Sequence, residues 1–229
     1  MRVSTGVAGL DSMLDGGLPA RRLYTLSGPP GSGKTTLASQ FVTDAIRNGE
    51  DVLYVTMHET RNELVEDMSS YDFGFERATS TDRFTFLNLT RDRSRQSLAK
   101  YGRESGLSAR LASMIRQEDY DRVVVDSTML LDHFTDGTDT EVTHFVTGLK
   151  QTDATVVLVS EMTDPTAYAE EHYLAHGVVF LHNFLEGGGM TRGVQVVKMR
   201  GTNIDCDIRD VTFTGSGLQV DPSRKVRPD

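Results

Sequence analysis

The octapeptide GPPGSGKT, from Gly28 to Thr35, limits what this chain can fold into more than any other stretch. Glycines at Gly28, Gly31 and Gly33 open backbone conformations that other residues avoid, so successive N–H groups can turn toward one point. Lys34 and Thr35 then add a cation on a long stem and a hydroxyl. The flanks agree with the loop. Residues 22–27 (RLYTLS) read as a strand and 34–48 as a helix, which brings the helix N-terminus and its free N–H groups to the same point. The spacing G-x-x-x-x-G-K-[ST] between strand and helix is a P-loop, and the chemistry it calls for is that of ATP with Mg²⁺. On this reading Gly28, Pro29, Pro30, Gly31, Ser32, Gly33, Lys34, Thr35 and Thr36 form the phosphate cradle, with Lys34 reaching the β- and γ-phosphates and Thr35 ligating Mg²⁺. A chance glycine turn ahead of a helix is the alternative, and it leaves the agreement of both flanks unexplained.

Around the loop, short apolar runs alternate with amphipathic stretches. Runs at 52–57 (VLYVTM), 83–88 (RFTFLN), 122–126 (RVVVD) and 155–160 (TVVLVS) predict strands. Stretches 60–72, 104–117 and 138–151 predict helices, with apolar residues three and four apart as at Leu107, Leu111 and Met114. Strands alternating with helices imply an α/β fold with a mainly parallel sheet flanked by helices. From 177 the texture changes: segments 177–184, 193–200, 207–213 and 217–220 follow one another across short turns, with no room for helices. They predict a C-terminal β-meander that extends the sheet antiparallel. A chain of 229 residues suits one α/β domain, here spanning 1–221, with a disordered tail over 222–229.

A second motif fits the same machine. Val123, Val124 and Val125 run into Asp126, the pattern of a Walker B strand. An aspartate at the C-terminal end of a central strand faces the crevice where open α/β sheets bind ligands, so Asp126 is assigned with Thr35 to the Mg²⁺ and its water shell. Alone, a strand ending in Asp is also a common turn signal. Composition excludes other classes. With 33 acidic against 24 basic residues, the net charge of −9 repels polyanions. No apolar run approaches the roughly 20 residues of a membrane span, and MRVSTGVAGLD lacks the apolar core of an export signal, so the expected location is cytoplasmic. The single Cys206 excludes an intramolecular disulfide and reads as a buried thiol.

Four further segments, STGVAGLDSMLDGGLP (Ser4 to Pro19), TMHET (Thr56 to Thr60), Asp126-Ser127 and FLEGGGMTRGVQVVKMRGT (Phe184 to Thr202), together resemble the KaiC branch of the RecA superfamily. The resemblance covers most of the chain and implies a RecA-like P-loop NTPase fold. It also implies a homo-oligomer, a hexamer being one form, with nucleotide at the subunit boundary and Lys198 and Arg200 reaching the neighbour's phosphates in trans. By pattern alone, Lys198 and Arg200 alternate with Val197 and Met199 as the solvent face of an edge strand. Where the family has a glutamate pair after strand two, this chain has His58 and Glu59. Glu59 then orients the attacking water, or His58 serves as a weaker base, or the chain binds ATP more than it hydrolyses it. Slow hydrolysis is the expectation, in a regulatory ATPase acting as a nucleotide switch through an unidentified protein partner. A sensor without turnover stands second, and a DNA-repair accessory third. RecA-like filaments meet DNA through loops falling here near 127–140 and 161–176, and neither contains a Lys or Arg.

Two other features carry weaker signals. Glu171, His172 and His176 place two imidazoles four residues apart, a spacing that can share a metal on a helix but lacks an evident third ligand. RDRSRQSLAKYGR, from Arg91 to Arg103, is the one basic concentration, either a docking patch or a solvated insertion.

Overall fold

The computed structural model describes residues 1–102, 106–126, 139–186 and 188–226. β1 (Arg2–Val3) and β2 (Leu18–Pro19) pair antiparallel on either side of α1 (Ala8–Met13). The alternating part follows as β3 (Leu23–Gly28), α2 (Lys34–Arg47), β4 (Val52–Thr56), α3 (Arg61–Met68), α4 (Phe75–Thr79), β5 (Phe84–Asn88), α5 (Asp92–Leu98) and α6 (Leu107–Gln117). It continues through β6 (Arg122–Asp126), α7 (Asp139–Lys150), β7 (Thr155–Glu161) and α8 (Glu170–Leu174). Then come β8 (Gly177–Glu186), β9 (Gly189–Met199), β10 (Arg209–Thr214) and β11 (Gly217–Lys225).

Nine strands form one sheet in the order β11-β10-β9-β8-β3-β7-β6-β4-β5. The expected antiparallel meander needs one correction. β8 pairs parallel with β3, from Tyr24 opposite Gly177 to Ser27 opposite Phe180, because the chain crosses back through α8 to the end where β3 starts. Antiparallel pairing begins at β9 and continues through β10 and β11. The expected tail is also corrected: β11 runs through Pro222 to Lys225 beside β10. Proline is tolerated there because β11 is an edge strand and Pro222 falls in the register shift between Asp221 and Lys225, where no β10 residue pairs with it. Residues 227–229 lie outside the described residues. Cys206 is exposed, in the irregular link between β9 and β10, and not the buried thiol expected.

The unbroken apolar character of the inner strands follows from burial on both faces. Successive side chains point to opposite sides, so Leu53, Val55, Val123, Val125, Val156 and Leu158 join one core with Leu111 and Ile115 of α6 and Phe145 of α7. Tyr54, Val124 and Val157 join the other, with Leu37, Phe41 and Ala45 of α2 and Leu10 of α1. The exception to apolar burial starts β6. Arg122, 1% exposed, lies against the Phe41 ring with its guanidinium carbon 4.7 Å from the centroid. Its Nη2 meets Asp44 at 3.0 Å, its Nε meets Glu50, and its Nη1 donates to the carbonyls of Ser4 at 2.8 Å and Phe41 at 3.3 Å. A buried cation is tolerated when its donors are filled in this way. Arg122→Ala leaves two carboxylates and two carbonyls without their donor, and is expected to lower the unfolding free energy by about 3–5 kcal/mol in urea titration. A loss below about 0.5 kcal/mol, the scale of an ordinary surface change, contradicts this role.

Candidate nucleotide-binding site

The loop between β3 and α2 has the backbone its glycines permit. Gly31 and Gly33 have φ of 73° and 102°, and a Cβ on Gly33 would lie 2.5 Å from the Phe213 ring. α2 starts immediately after Gly33 with no side chain capping it, so its first N–H groups face the loop with the positive end of the helix dipole behind them. Lys34 is buried, and its Nζ donates to the carbonyls of Gly28 at 2.8 Å and Pro29 at 3.0 Å. Burial lowers the Lys34 pKa, against the pull of Glu161 and Asp126. An ammonium held only by loop carbonyls keeps its charge available to an anion entering the loop.

Asp126 ends β6 at the same crevice. Its Oδ2 accepts from Thr35 Oγ1 at 3.2 Å and from the fully buried Tyr54 hydroxyl at 2.8 Å. Burial pushes the Asp126 carboxyl up, and the bonds from Tyr54 and Thr35 hold it back. One hydroxyl and one carboxylate that already touch form an oxygen pair of the kind Mg²⁺ takes, with its remaining positions left to water and phosphate.

Opposite the loop, β4 leads through Thr56 to His58 and Glu59, and the chain turns directly into α3. A capping box fixes that turn: Thr60 Oγ1 accepts from Glu63 N–H at 3.3 Å while Thr60 N–H donates to Glu63 Oε2 at 2.7 Å. The Glu59 carbonyl accepts from Asn88 Nδ2 at 2.6 Å, which ties this corner to β5. Burial first, then the carboxylates of Asp126, Asp67 and Glu63, push the Glu59 pKa up to about 7. Lys34, Thr35, Thr36, His58, Glu59 and Asp126 all line one cavity of about 570 Å³. Glu161, at the end of β7, and Tyr71, Arg192 and Phe213 line it too, and sequence reasoning missed all four. The Arg192 guanidinium lies 5.1 Å from the Phe213 ring centroid, and its buried Nε has no hydrogen-bond partner. Two aromatic rings and a planar cation in the same cavity as the phosphate loop offer surfaces on which a purine base can stack.

A family profile described as "ATPase: KaiC" matches residues 3–225. The chain belongs to this KaiC ATPase family. Among its relatives, the circadian clock oscillator protein KaiC of Parasynechococcus marenigrum (strain WH8102) is 30% identical over 234 residues, covering 99% of this chain and 46% of the relative. KaiC of Parathermosynechococcus lividus is 29% identical over 226 residues, covering 95% and 42%. The chain therefore spans less than half the length of these relatives. The crystal structure of KaiC-like protein PH0186 from Pyrococcus horikoshii OT3 superposes with a TM-score of 0.80 at 23% identity, covering 97% of this chain and 99% of that one, which shows the shared fold. No helix among the described residues is long and apolar enough to cross a membrane.

The KaiC-type chain does not bring every expected residue to its cavity. Lys198 and Arg200 lie toward the end of the sheet where β3 starts: Lys198 pairs with Val178, which pairs with Thr25, three residues before Gly28. Lys198 Nζ donates to the carbonyls of His172 and Tyr173 at 3.0 Å each, and Arg200 Nη2 to Tyr173 at 3.3 Å. Ser127 and most of 127–140 lie outside the described residues. The Glu171, His172 and His176 group is structural. His172 is buried, with Nε2 2.9 Å from Ser27 Oγ and Nδ1 accepting from Ala169 N–H at 3.0 Å. Glu171 accepts from Ser160, and His176 Nε2 meets the Arg200 carbonyl at 3.0 Å. Among the described residues no group of three or more such side chains can hold a metal. In the basic stretch, Arg95 donates to the Leu89 carbonyl and Lys100 pairs with Glu118, while Arg103 lies outside the described residues.

Two substitutions test the phosphate and ring contributions separately. Lys34→Ala should leave the fold in place and abolish ATP binding at concentrations reachable by calorimetry; unchanged affinity in the folded variant contradicts the site. Phe213→Ala should weaken ATP by about 1–2 kcal/mol, the scale of one lost base stack, in a fluorescent-nucleotide titration.

Proposed function

We propose that the chain is a slow Mg²⁺-dependent ATPase working as a regulatory switch, with its own output passed to a protein partner. The observation that carries this reading is the convergence of Lys34, Thr35, Asp126 and Glu59 on one cavity. Lys34 leaves the Gly28 and Pro29 carbonyls to bind the β- and γ-phosphates, and the α2 N-terminus binds the same group through backbone N–H. Thr35 and Asp126 would hold Mg²⁺, which when bound offsets the charge that grows on the phosphate oxygens. Glu59 orients the water that attacks the γ-phosphorus and takes its proton, while the bond to the bridging oxygen of ADP breaks. Supporting the choice of Glu59 over His58 is burial: Glu59 is sheltered among carboxylates, whereas His58 is exposed at the cavity mouth.

A base with a pKa of about 7 is only half ionised near neutrality. Because the carboxylate is the working form, kcat/KM should rise as pH increases through about 7 and level off above it, as read by phosphate release. Glu59→Gln should remove the rise and reduce turnover by about 10²–10⁴-fold, and His58→Glu should change little. Full activity in Glu59→Gln moves the base elsewhere.

The removal of Lys198 and Arg200 from their own chain's cavity supports the proposal that they act on a neighbour's nucleotide in a homo-oligomer, where added positive charge aids phosphoryl transfer. Mixing tests it. A Lys34→Ala protomer should supply its cations to a protomer carrying Lys198→Ala and Arg200→Ala and restore turnover that neither shows alone. Absence of complementation, with a monomer in saturating ATP, rejects the trans assignment.

A further inference from the structure

The side chains that hold α8 to the sheet meet β3 and β7 one residue short of the phosphate loop and of Glu161. Strand side chains alternate, so Ser27 follows Leu23 onto the face away from α2, and Ser160 follows Val156 and Leu158 onto the same face. In the parallel register of β3 and β7 the two serines stand opposite each other, and both are buried. Adjacent side chains of α8 meet them: His172 Nε2 lies 2.9 Å from Ser27 Oγ, and Ser160 Oγ donates to Glu171 Oε1 at 3.0 Å. The imidazole and the carboxyl group are buried too, with Nδ1 3.8 Å from Glu171 Oε1. The other ring nitrogen sets the direction of the histidine bond. Nδ1 accepts from Ala169 N–H, so the ring proton sits on Nε2 and Ser27 Oγ accepts it. Burial lowers the His172 pKa, against the pull of Glu171, and keeps the ring in this neutral form.

The next residue on each strand belongs to the nucleotide site. Gly28 and Glu161 again stand opposite each other, and Glu161 lines the cavity. The Gly28 carbonyl accepts two donors, Lys34 Nζ at 2.8 Å and Met162 N–H at 3.2 Å, the second carrying the strand pairing on past β7. The carbonyl on which Lys34 rests is therefore one residue from a hydroxyl that α8 holds. Apolar side chains at 27 and 160 would tolerate sliding, whereas buried polar groups with their bonds filled fix one separation and one orientation.

We propose, resting on the reading of the cavity as an ATP site, that His172 is a positioning residue for the phosphate loop: through Ser27 it holds the Gly28 carbonyl, and with it Lys34, where the β- and γ-phosphates arrive. A cradle held ready does not have to be ordered at the moment of binding, so losing the bond should weaken ATP affinity and leave turnover at saturation unchanged.

A double-mutant cycle in ATP affinity tests this, with calorimetry for binding and phosphate release for turnover. Asparagine at 172 keeps an acceptor for Ala169 N–H and is too short to reach Ser27; glutamine is long enough to offer Ser27 an amide N–H. Ser27→Ala and His172→Asn should each weaken ATP by about two- to tenfold, the scale of one hydrogen bond, with kcat unchanged. Together they should weaken it no further, because both remove the same bond. His172→Gln should bind as the native chain does. A role in stability alone lowers the melting temperature of these variants and leaves the affinity of the folded chain untouched, and that result overturns the proposal, as do losses that add in the double variant. Ser27→Ala removes a single oxygen atom, so unchanged affinity in this variant rejects the proposal even where the histidine variants fail to fold. Lys34→Ala separates the two readings. If it binds ATP normally, the cavity is not the ATP site and the positioning role falls with it; if it abolishes binding while the Ser27 and His172 variants bind as the native chain does, the ATP site stands and the positioning role alone is rejected.

Discussion

Helix α2 is fastened to strand β6 at both ends, and the site depends on that registration. At one end Arg122 binds Asp44 and the Phe41 carbonyl; at the other Asp126 accepts from Thr35. From Thr35 to Asp44 a helix rises about 13.5 Å, and from Arg122 to Asp126 a strand spans about 13 Å. The two contacts can therefore be made together only if the helix lies antiparallel along the strand without slipping a turn. A buried ion pair at one end thus sets where a hydroxyl and a carboxylate meet at the other.

The cavity's electrostatics follow from what that registration buries. Asp126, Glu59 and Glu161 face one pocket with Lys34 as the cation among them, while the helix dipole points in from α2. Three carboxylates so placed oppose a bare triphosphate, and the Glu59 carboxyl is pushed up first by burial and then by Asp126, Asp67 and Glu63. Tyr54 keeps Asp126 supplied with a donor that no solvent molecule has to provide. The rings of Tyr71 and Phe213 and the Arg192 guanidinium line the same cavity, so uncharged and cationic surface stands beside the carboxylates.

Most of this was legible in the sequence because it depends on short-range pattern. The glycine spacing gave Lys34 and Thr35, the valine run gave Asp126, and alternation of strand and helix gave the parallel sheet. What escaped depends on long-range placement. Tyr71, Glu161, Arg192 and Phe213 reach the cavity from four different elements or links, and no local period marks an arginine on β9 as the partner of a phenylalanine on β10. Arg122 looked like the polar start of a strand because its carboxylates stand 78 and 72 positions away. The parallel pairing of β8 was hidden for the same reason: α8, at five residues, is too short to announce a crossover. Pro222 suggested an end to order because proline is excluded from inner strands, and an edge strand escapes that rule.

The last strand closes on the first helices. Gln40 of α2 donates to the Leu218 carbonyl at 3.2 Å and accepts from its N–H at 2.9 Å, across 178 positions of sequence. A Cβ on Gly9 of α1 would meet the Val220 carbonyl at 1.9 Å, so β11 also seals the N-terminal segment. For a chain emerging from the ribosome, this order has a cost in time. The phosphate loop and its helix leave the tunnel early, and they wait with Gln40 unsatisfied and the Gly33 wall uncovered until residue 220 has been synthesised. At about 5–20 residues per second, that interval is on the order of ten seconds or more. The helix that opens the phosphate loop therefore gains its last hydrogen-bonded neighbour, β11, only after every other strand of the sheet has been made.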